Sequence, residues 1–75
     1  MIKIYSTPSC PFCQMAKKYI EGKGKTVDYI DVTKDDAAAD EMVKVSGQYN
    51  VPVIDIDGHI VVGFNRVEVD KYLAE

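Results

Sequence analysis

Two cysteines, Cys10 and Cys13, lie three positions apart with Pro11 and Phe12 between them. Their type and spacing suit disulfide exchange. One thiolate attacks a disulfide sulfur, and a second thiol close by resolves the mixed disulfide. Residues at i and i+3 share a helix face, so the two sulfurs can meet with little backbone movement. Cys10 is read as the nucleophile and Cys13, one turn deeper, as the resolving thiol. The stretch Thr7-Pro8-Ser9 breaks a preceding strand and a helical pattern starts at Pro11, which places Cys10 at a helix N-terminus. Unpaired N–H groups and the positive end of the helix dipole favour thiolate over thiol there. Free cysteine titrates near about 8.5, and helix N-termini and C-x-x-C motifs bring this to roughly 3.5–7.5. Pro11 suits a first helical turn, where its missing N–H costs nothing. Lys17 follows on about the same face as the cysteines and either adds positive potential or is simply solvated.

Other chemistries for a cysteine pair stay open at this point. Tetrahedral zinc wants four ligands, and the chain offers two cysteines and one histidine, His59. Zinc would therefore need a second chain. An iron–sulfur cluster bridging two copies is a separate possibility. Inert buried cysteines in a structural interaction module are a third, and such a module would show no titratable low-pKa thiol. No resident metal is expected.

The elements that must position the pair follow from periodicity. Ile2 to Ser6 is short and β-branched, a strand. Phe12, Ala16, Tyr19 and Ile20 recur on one face of a helix that Gly22 and Gly24 end. Residues 26–32 read as a second strand. Thr33 is expected to cap a second helix, with Asp36 as its capping-box partner and Ala38, Met42 and Val45 as its apolar stripe. Its acidic residues, Asp35, Asp36, Asp40 and Glu41, suit a solvated N-terminal face. Residues 52–56 and 59–62 flank Asp57-Gly58, a hairpin signal. Asn65 can cap a last helix, with Glu68 at the reciprocal position and Val69, Tyr72 and Leu73 as the buried stripe. The order is β-α-β-α-β-β-α, with the first two strands parallel and the last two antiparallel.

The composition bounds the function. The chain has 75 residues, 47% hydrophobic and 28% charged, which fits one small globular domain over residues 1–75. A net charge of −3 argues against nucleic acid, whose binding rests on a basic patch. No apolar run approaches the roughly 20 residues that cross a bilayer, so no membrane association is expected. Strand-like alternation starts at the first residues, with no secretory leader pattern, so a cytoplasmic location is expected. Structural disulfides are rare there, which again favours a catalytic pair.

Several landmarks together resemble a known family. Cys10-Pro11-Phe12-Cys13 at a strand–helix junction, Ala16-Lys17 after it, Val51-Pro52 before the third strand, and Gly63 ahead of a capped helix look like the dithiol glutaredoxins. The match spans essentially the whole chain. It implies an α/β thioredoxin fold: a four-stranded mixed sheet in the order 2-1-3-4, flanked by three helices. It implies a cis Val51–Pro52 bond, with the backbone of Val51 pairing with the substrate beside the cysteines. The implied activity is thiol–disulfide oxidoreduction on protein or glutathione mixed disulfides, by a monomer. Its redox centre is the Cys10–Cys13 disulfide, with no bound cofactor and glutathione as a possible co-substrate.

The departures from that family concern the electron source. Glutaredoxins usually hold glutathione through a lysine three residues before the first cysteine, where this chain has Thr7. Gln48 stands where an arginine or glutamine makes a second contact and can still donate. The family's Gly-Gly-x-Asp-Asp stretch reads Val62-Gly63-Phe64-Asn65-Arg66 here. Asn65 keeps the cap and loses the charge; Arg66 offers a new cation. A charged hydrogen bond contributes about 1.5–3 kcal/mol, so two losses weaken glutathione recognition by orders of magnitude. Gly63-Phe64 looks instead like the Ser-Gly-Phe stretch of NrdH-type redoxins, which draw electrons from thioredoxin reductase and feed ribonucleotide reductase; Val61-Val62 replaces their Trp-Ser pair. Phe12, Tyr49 and Phe64 are expected to form an apolar collar around the sulfurs, suited to a protein partner, with a core position the competing reading for Tyr49 and Phe64.

Overall fold

The computed structural model describes residues 2–74. The elements run β1 (Ile2–Ser6), α1 (Pro11–Glu21), β2 (Val27–Asp31), α2 (Asp36–Ser46), β3 (Val53–Ile56), β4 (His59–Val62) and α3 (Arg66–Leu73). The four strands form one sheet in the order β2-β1-β3-β4. β1 pairs in parallel with β2 and antiparallel with β3, and β3 pairs antiparallel with β4. The expected order of elements and strands is therefore the observed one.

Register explains how the sheet acquires two apolar faces. Ile4 lies opposite Tyr29 and Ile54, and Ile54 lies opposite Val61. Residues directly opposite point to the same side of a sheet, while neighbours in the chain alternate. This row, joined by Ile2 and Ile56, packs against Ala16 and Ile20 of α1 and Val69 of α3. One residue on, Tyr5 and Val53 face the other way and pack with Met42 of α2. The layers are thus α1 and α3 on one side, the sheet, and α2 on the other.

The turns follow local chemistry. Asp57 and Gly58 both have positive φ, 50° and 96°, as a two-residue type I′ hairpin requires. The Asp55 carboxylate accepts the Gly58 N–H at 2.9 Å and fixes the turn. Gly47 ends α2 in the left-handed region, φ 73°.

Three expectations change. The cap of α2 is Asp35, whose carboxylate accepts the Ala38 N–H at 3.1 Å. Thr33 cannot serve because Asp31 engages both its N–H, at 2.9 Å, and its hydroxyl, at 2.5 Å. That hydroxyl in turn holds the Asp31 carboxyl below the usual range. The apolar stripe of α2 reduces to Ala38 and Met42, with Val45 exposed in the last turn. In α1 the buried positions are Cys13, Ala16 and Ile20, and Phe12 is 59% exposed. Cys13 occupies the core-facing place in the first turn, and Phe12 sits about 100° around the helix from it.

Candidate active site

Cys10 is the N-cap of α1, with extended backbone at φ −101° and ψ 102°, and Pro11 takes the first helical position. The Cys10 Sγ accepts the Cys13 N–H at 3.2 Å. The sulfur therefore does what a serine or aspartate does at other helix starts: it satisfies one of the orphan donors. A donor fixed there gains strength once the sulfur is a thiolate, because hydrogen bonds to ions are roughly twice as strong as neutral ones. The loop holds the residue from both sides. The Cys10 N–H donates to the Thr7 carbonyl at 3.3 Å, and its carbonyl accepts the Gln14 N–H at 3.4 Å.

The pair is joined as a disulfide, with the two Cα atoms 5.3 Å apart. The sulfurs are not equivalent. Cys13 is 0% exposed, whereas Cys10 is only partly covered. An incoming sulfur can reach Cys10, and Cys13 can reach only Cys10. The expected division of labour thus has a geometric basis, set by Cys13 taking a core position on α1.

Two further landmarks are tied to each other. Val51–Pro52 is cis, and Pro52 is buried. The Gly63 N–H donates to the Pro52 carbonyl at 2.8 Å. Gly63 has φ 81°, a conformation that costs a side-chain-bearing residue about 1–2 kcal/mol, and nothing lies within 4 Å of where a Cβ would sit. Glycine is therefore required here by backbone conformation and not by crowding.

The other predicted contact residues are distributed as follows. Thr7 is half-buried and places no charge near the pair. The Gln48 side chain closes on its own loop. Its Nε2 donates to the Ser46 Oγ at 3.2 Å and the Asn50 carbonyl at 3.0 Å, and its Oε1 accepts the Asn50 N–H at 2.6 Å. Asn65 caps α3 by accepting the Glu68 N–H at 3.3 Å. Tyr49 is 79% exposed and belongs to no core cluster. Phe64 is half-buried and packs against the core cluster and Tyr19, with ring centroids 5.6 Å apart in an edge-on arrangement, which is the core position given as its competing reading. The Lys17 ammonium lies 5.3 Å from the Tyr29 ring centroid, so its charge is held towards β2. His59 stacks on Tyr72 at 4.3 Å, and no cluster of three or more metal-ligating side chains occurs among the described residues.

Tyr19 carries more than its expected place in an apolar stripe. Its hydroxyl donates to Asp70 of α3 at 2.5 Å, and its ring lies under the Lys23 ammonium at 4.9 Å and the Arg66 guanidinium at 5.9 Å. Its hydroxyl is the main reason that the Asp70 carboxyl sits below its ordinary range and the Lys23 ammonium above its own. Tyr19 forms, with Met15, Phe64 and Val67, an open groove of about 720 Å³ between α1 and the start of α3. The sequence signal that was available is Met15, three residues after Phe12 and four before Tyr19 on one face of α1.

The cis Val51–Pro52 bond is the one that the resemblance implied, and Cys10 stands at the helix start read from the sequence. Residues 2–61 match the family model for glutaredoxin. The chain belongs to the glutaredoxin family. It is 51% identical, over all of both chains, to a glutaredoxin-like 8.6 kDa protein in the rubredoxin operon of Clostridium pasteurianum. It is 34% identical to glutaredoxin 3 of Escherichia coli K12, over 83% of this chain and 75% of that one. The glutaredoxin-like protein NrdH-redoxin of Escherichia coli shares the fold, with a TM-score of 0.82 and 24% identity over 93% of this chain and 91% of that one. This glutaredoxin-family chain has the thioredoxin fold and a C-x-x-C redox disulfide, Cys10–Cys13. Among its described residues, no helix is long and apolar enough to cross a membrane.

Proposed function

We propose that this chain is a dithiol oxidoreductase that reduces protein disulfides and glutathione mixed disulfides. The observation that carries the reading is the inequality of the two sulfurs: Cys10 is reachable and accepts the Cys13 N–H, while Cys13 is fully buried behind it. In the reduced chain the Cys10 thiolate attacks one sulfur of the substrate. The substrate S–S bond breaks, its second sulfur leaves as a thiolate and takes a proton, and a Cys10–substrate disulfide forms. Cys13 then gives up its proton and attacks the Cys10 Sγ. The substrate leaves as its second thiol, and the chain is left as the Cys10–Cys13 disulfide. Two electrons pass to the substrate, and a reductant must return them. Phe12 and the Val51 backbone beside Pro52 flank the exchange, and an extended substrate strand is expected to lie along them.

A second reading concerns that reductant. The position of Thr7 supplies no cation, Gln48 is engaged within its own loop, and Asn65 is engaged as a cap. Three places where the family grips glutathione are thus neutral or occupied. This favours a protein reductant such as thioredoxin reductase, with ribonucleotide reductase as one acceptor in the manner of NrdH-type redoxins. NADPH consumption during reduction of one protein disulfide separates the two sources. One arm holds glutathione and glutathione reductase, and the other holds thioredoxin reductase. Turnover in either arm supports dithiol chemistry and names the reductant; no turnover in both, with the thiols intact, refutes it.

A further inference from the structure

We propose that the groove between α1 and α3 is a docking site for an extended segment of the protein substrate, one carrying an apolar side chain with acidic residues next to it. The proposal rests on the dithiol reading above and names the chemistry of its partner. Phe12, Met15 and Tyr19 recur at i, i+3 and i+7 along one face of α1, so an apolar ridge runs from the cysteine pair into the groove. Phe12 is 59% exposed and Met15 51%, and Val67 across the groove is 79% exposed. Large apolar side chains left in water along one continuous strip mark a contact surface.

The charge of the rim selects the occupant. Lys18 and Arg66 line the groove, and none of its lining residues is a carboxylate. Among the described residues, neither cation enters an ion pair. The nearby carboxylate of Asp70 is held chiefly by the Tyr19 hydroxyl and Lys23, and Arg66 acts on it only at longer range. On a chain of net charge −3, whose helix α2 on the opposite side of the sheet carries Asp36, Asp40 and Glu41, this rim is locally cationic. Complementary charge speeds encounter and fixes orientation.

Helix geometry sets the spacing. At about 1.5 Å per residue, Met15 and Tyr19 lie about 8 and 14 Å along the axis from Cys10. An extended chain covers about 3.3 Å per residue, so the apolar side chain belongs two to four residues from the attacked cysteine.

The test uses synthetic peptides with one cysteine carried as a disulfide to a chromogenic aromatic thiol. Each has a leucine three residues from the cysteine, on either side, followed by two glutamates or by two lysines. Single-turnover mixing with the pre-reduced protein reads release of the aromatic thiolate, and each rate is divided by that for hydroxyethyl disulfide. The glutamate peptide is expected to react roughly tenfold faster than the lysine peptide at low salt, and the gap should close by 0.5 M salt, where screening lengths fall to a few ångströms. The pair Lys18→Glu and Arg66→Glu should invert the ratio, and Lys18→Gln with Arg66→Gln should flatten it. Lys34→Glu with Lys44→Glu, the same change in net charge away from the groove, should leave it unaltered. Equal rates for the two peptides, or a preference that survives the Gln pair, overturns the docking site. Failure to reduce hydroxyethyl disulfide at all overturns the dithiol reading instead.

Discussion

Tyr5 offers the most quantitative test of how the strand leading to the site is held. Its ring is 0% exposed in the layer beneath α2, and its hydroxyl oxygen is buried without a hydrogen-bond partner among the described residues. An unsatisfied buried polar group costs about 1–3 kcal/mol. Tyr5→Phe removes the group and leaves a void of one oxygen, so a net gain of about 1 kcal/mol is expected. In a domain of this size that raises Tm by about 4–8 °C. The same burial, reinforced by the Glu41 carboxylate acting directly on the hydroxyl and by the charges of Glu41, Asp55 and Asp28, pushes the Tyr5 phenol up to about 12. Below about pH 9 the phenol is protonated both folded and unfolded, and its contribution is constant. Between about pH 9 and 12 the unfolded chain loses the proton first, so the folded state loses ground as pH rises. At pH 11.5 the gap in unfolding free energy between Tyr5→Phe and the parent should be wider than at pH 9 by about 2 kcal/mol. Urea unfolding of both proteins at the two pH values measures it. A constant gap would show that Tyr5 ionises normally in the fold, and a lower Tm for the variant at pH 7 would show that the oxygen is hydrogen-bonded after all.

Other consequences are accessible to simpler assays. Cys10→Ser should abolish disulfide reduction, whereas Cys13→Ser should accumulate a mixed disulfide on Cys10, visible by intact mass; turnover by Cys10→Ser would reverse the assignment of the nucleophile. Tyr19→Phe should move the Asp70 titration, followed by NMR, up towards the ordinary carboxylate value, since the Tyr19 hydroxyl is the largest influence holding it down. With a folded-state value below 3.8, the Asp70 interaction is fully present above that pH and is lost only as the solution is acidified below it. Asp35→Ala should cost about 1 kcal/mol by removing the cap of α2, and Thr33→Ala distinctly less; equal effects in chemical denaturation would restore Thr33 as the cap. Gly63→Ala should cost about 1–2 kcal/mol, and Gly63→Asn, which tolerates positive φ, less than that, as denaturation midpoints would show.

Much of the fold was legible because the local rules agree with one another. Ile4, Ile54 and Val61 sit in short, largely apolar strands, next to Tyr5, Val53 and Ile60, as a sheet covered on both faces requires, and Asp57-Gly58 permits only a tight turn between β3 and β4. Asn65 has no competitor as the cap of α3. The misreadings arose where two residues compete for one role. Thr33 and Asp35 are both good caps, and only the engagement of Thr33 by Asp31 decides between them. Phe12 and Cys13 are adjacent candidates for one core position, and hydrophobicity alone favours the wrong one. The hydrogen bonds of the Gln48 side chain to Ser46 and Asn50 are a further feature that sequence spacing does not disclose. The role of Tyr19 depends on Asp70, which is 51 residues away in the chain, and no local pattern reports such a pair.

The exchange of Phe12 and Cys13 has a consequence for chemistry. A residue at the N-cap faces the solvent end of a helix, and one three positions on can face the core. Spacing of three therefore gives the first sulfur an anion site and access, and gives the second sulfur shelter within reach of the first. Had Phe12 faced the core, Cys13 would have turned towards solvent and become open to outside disulfides. Its outward place also leaves Phe12 at the head of the ridge that Met15 and Tyr19 continue. The packing choice that protects the resolving thiol is thus the one that exposes an apolar surface beside the nucleophile.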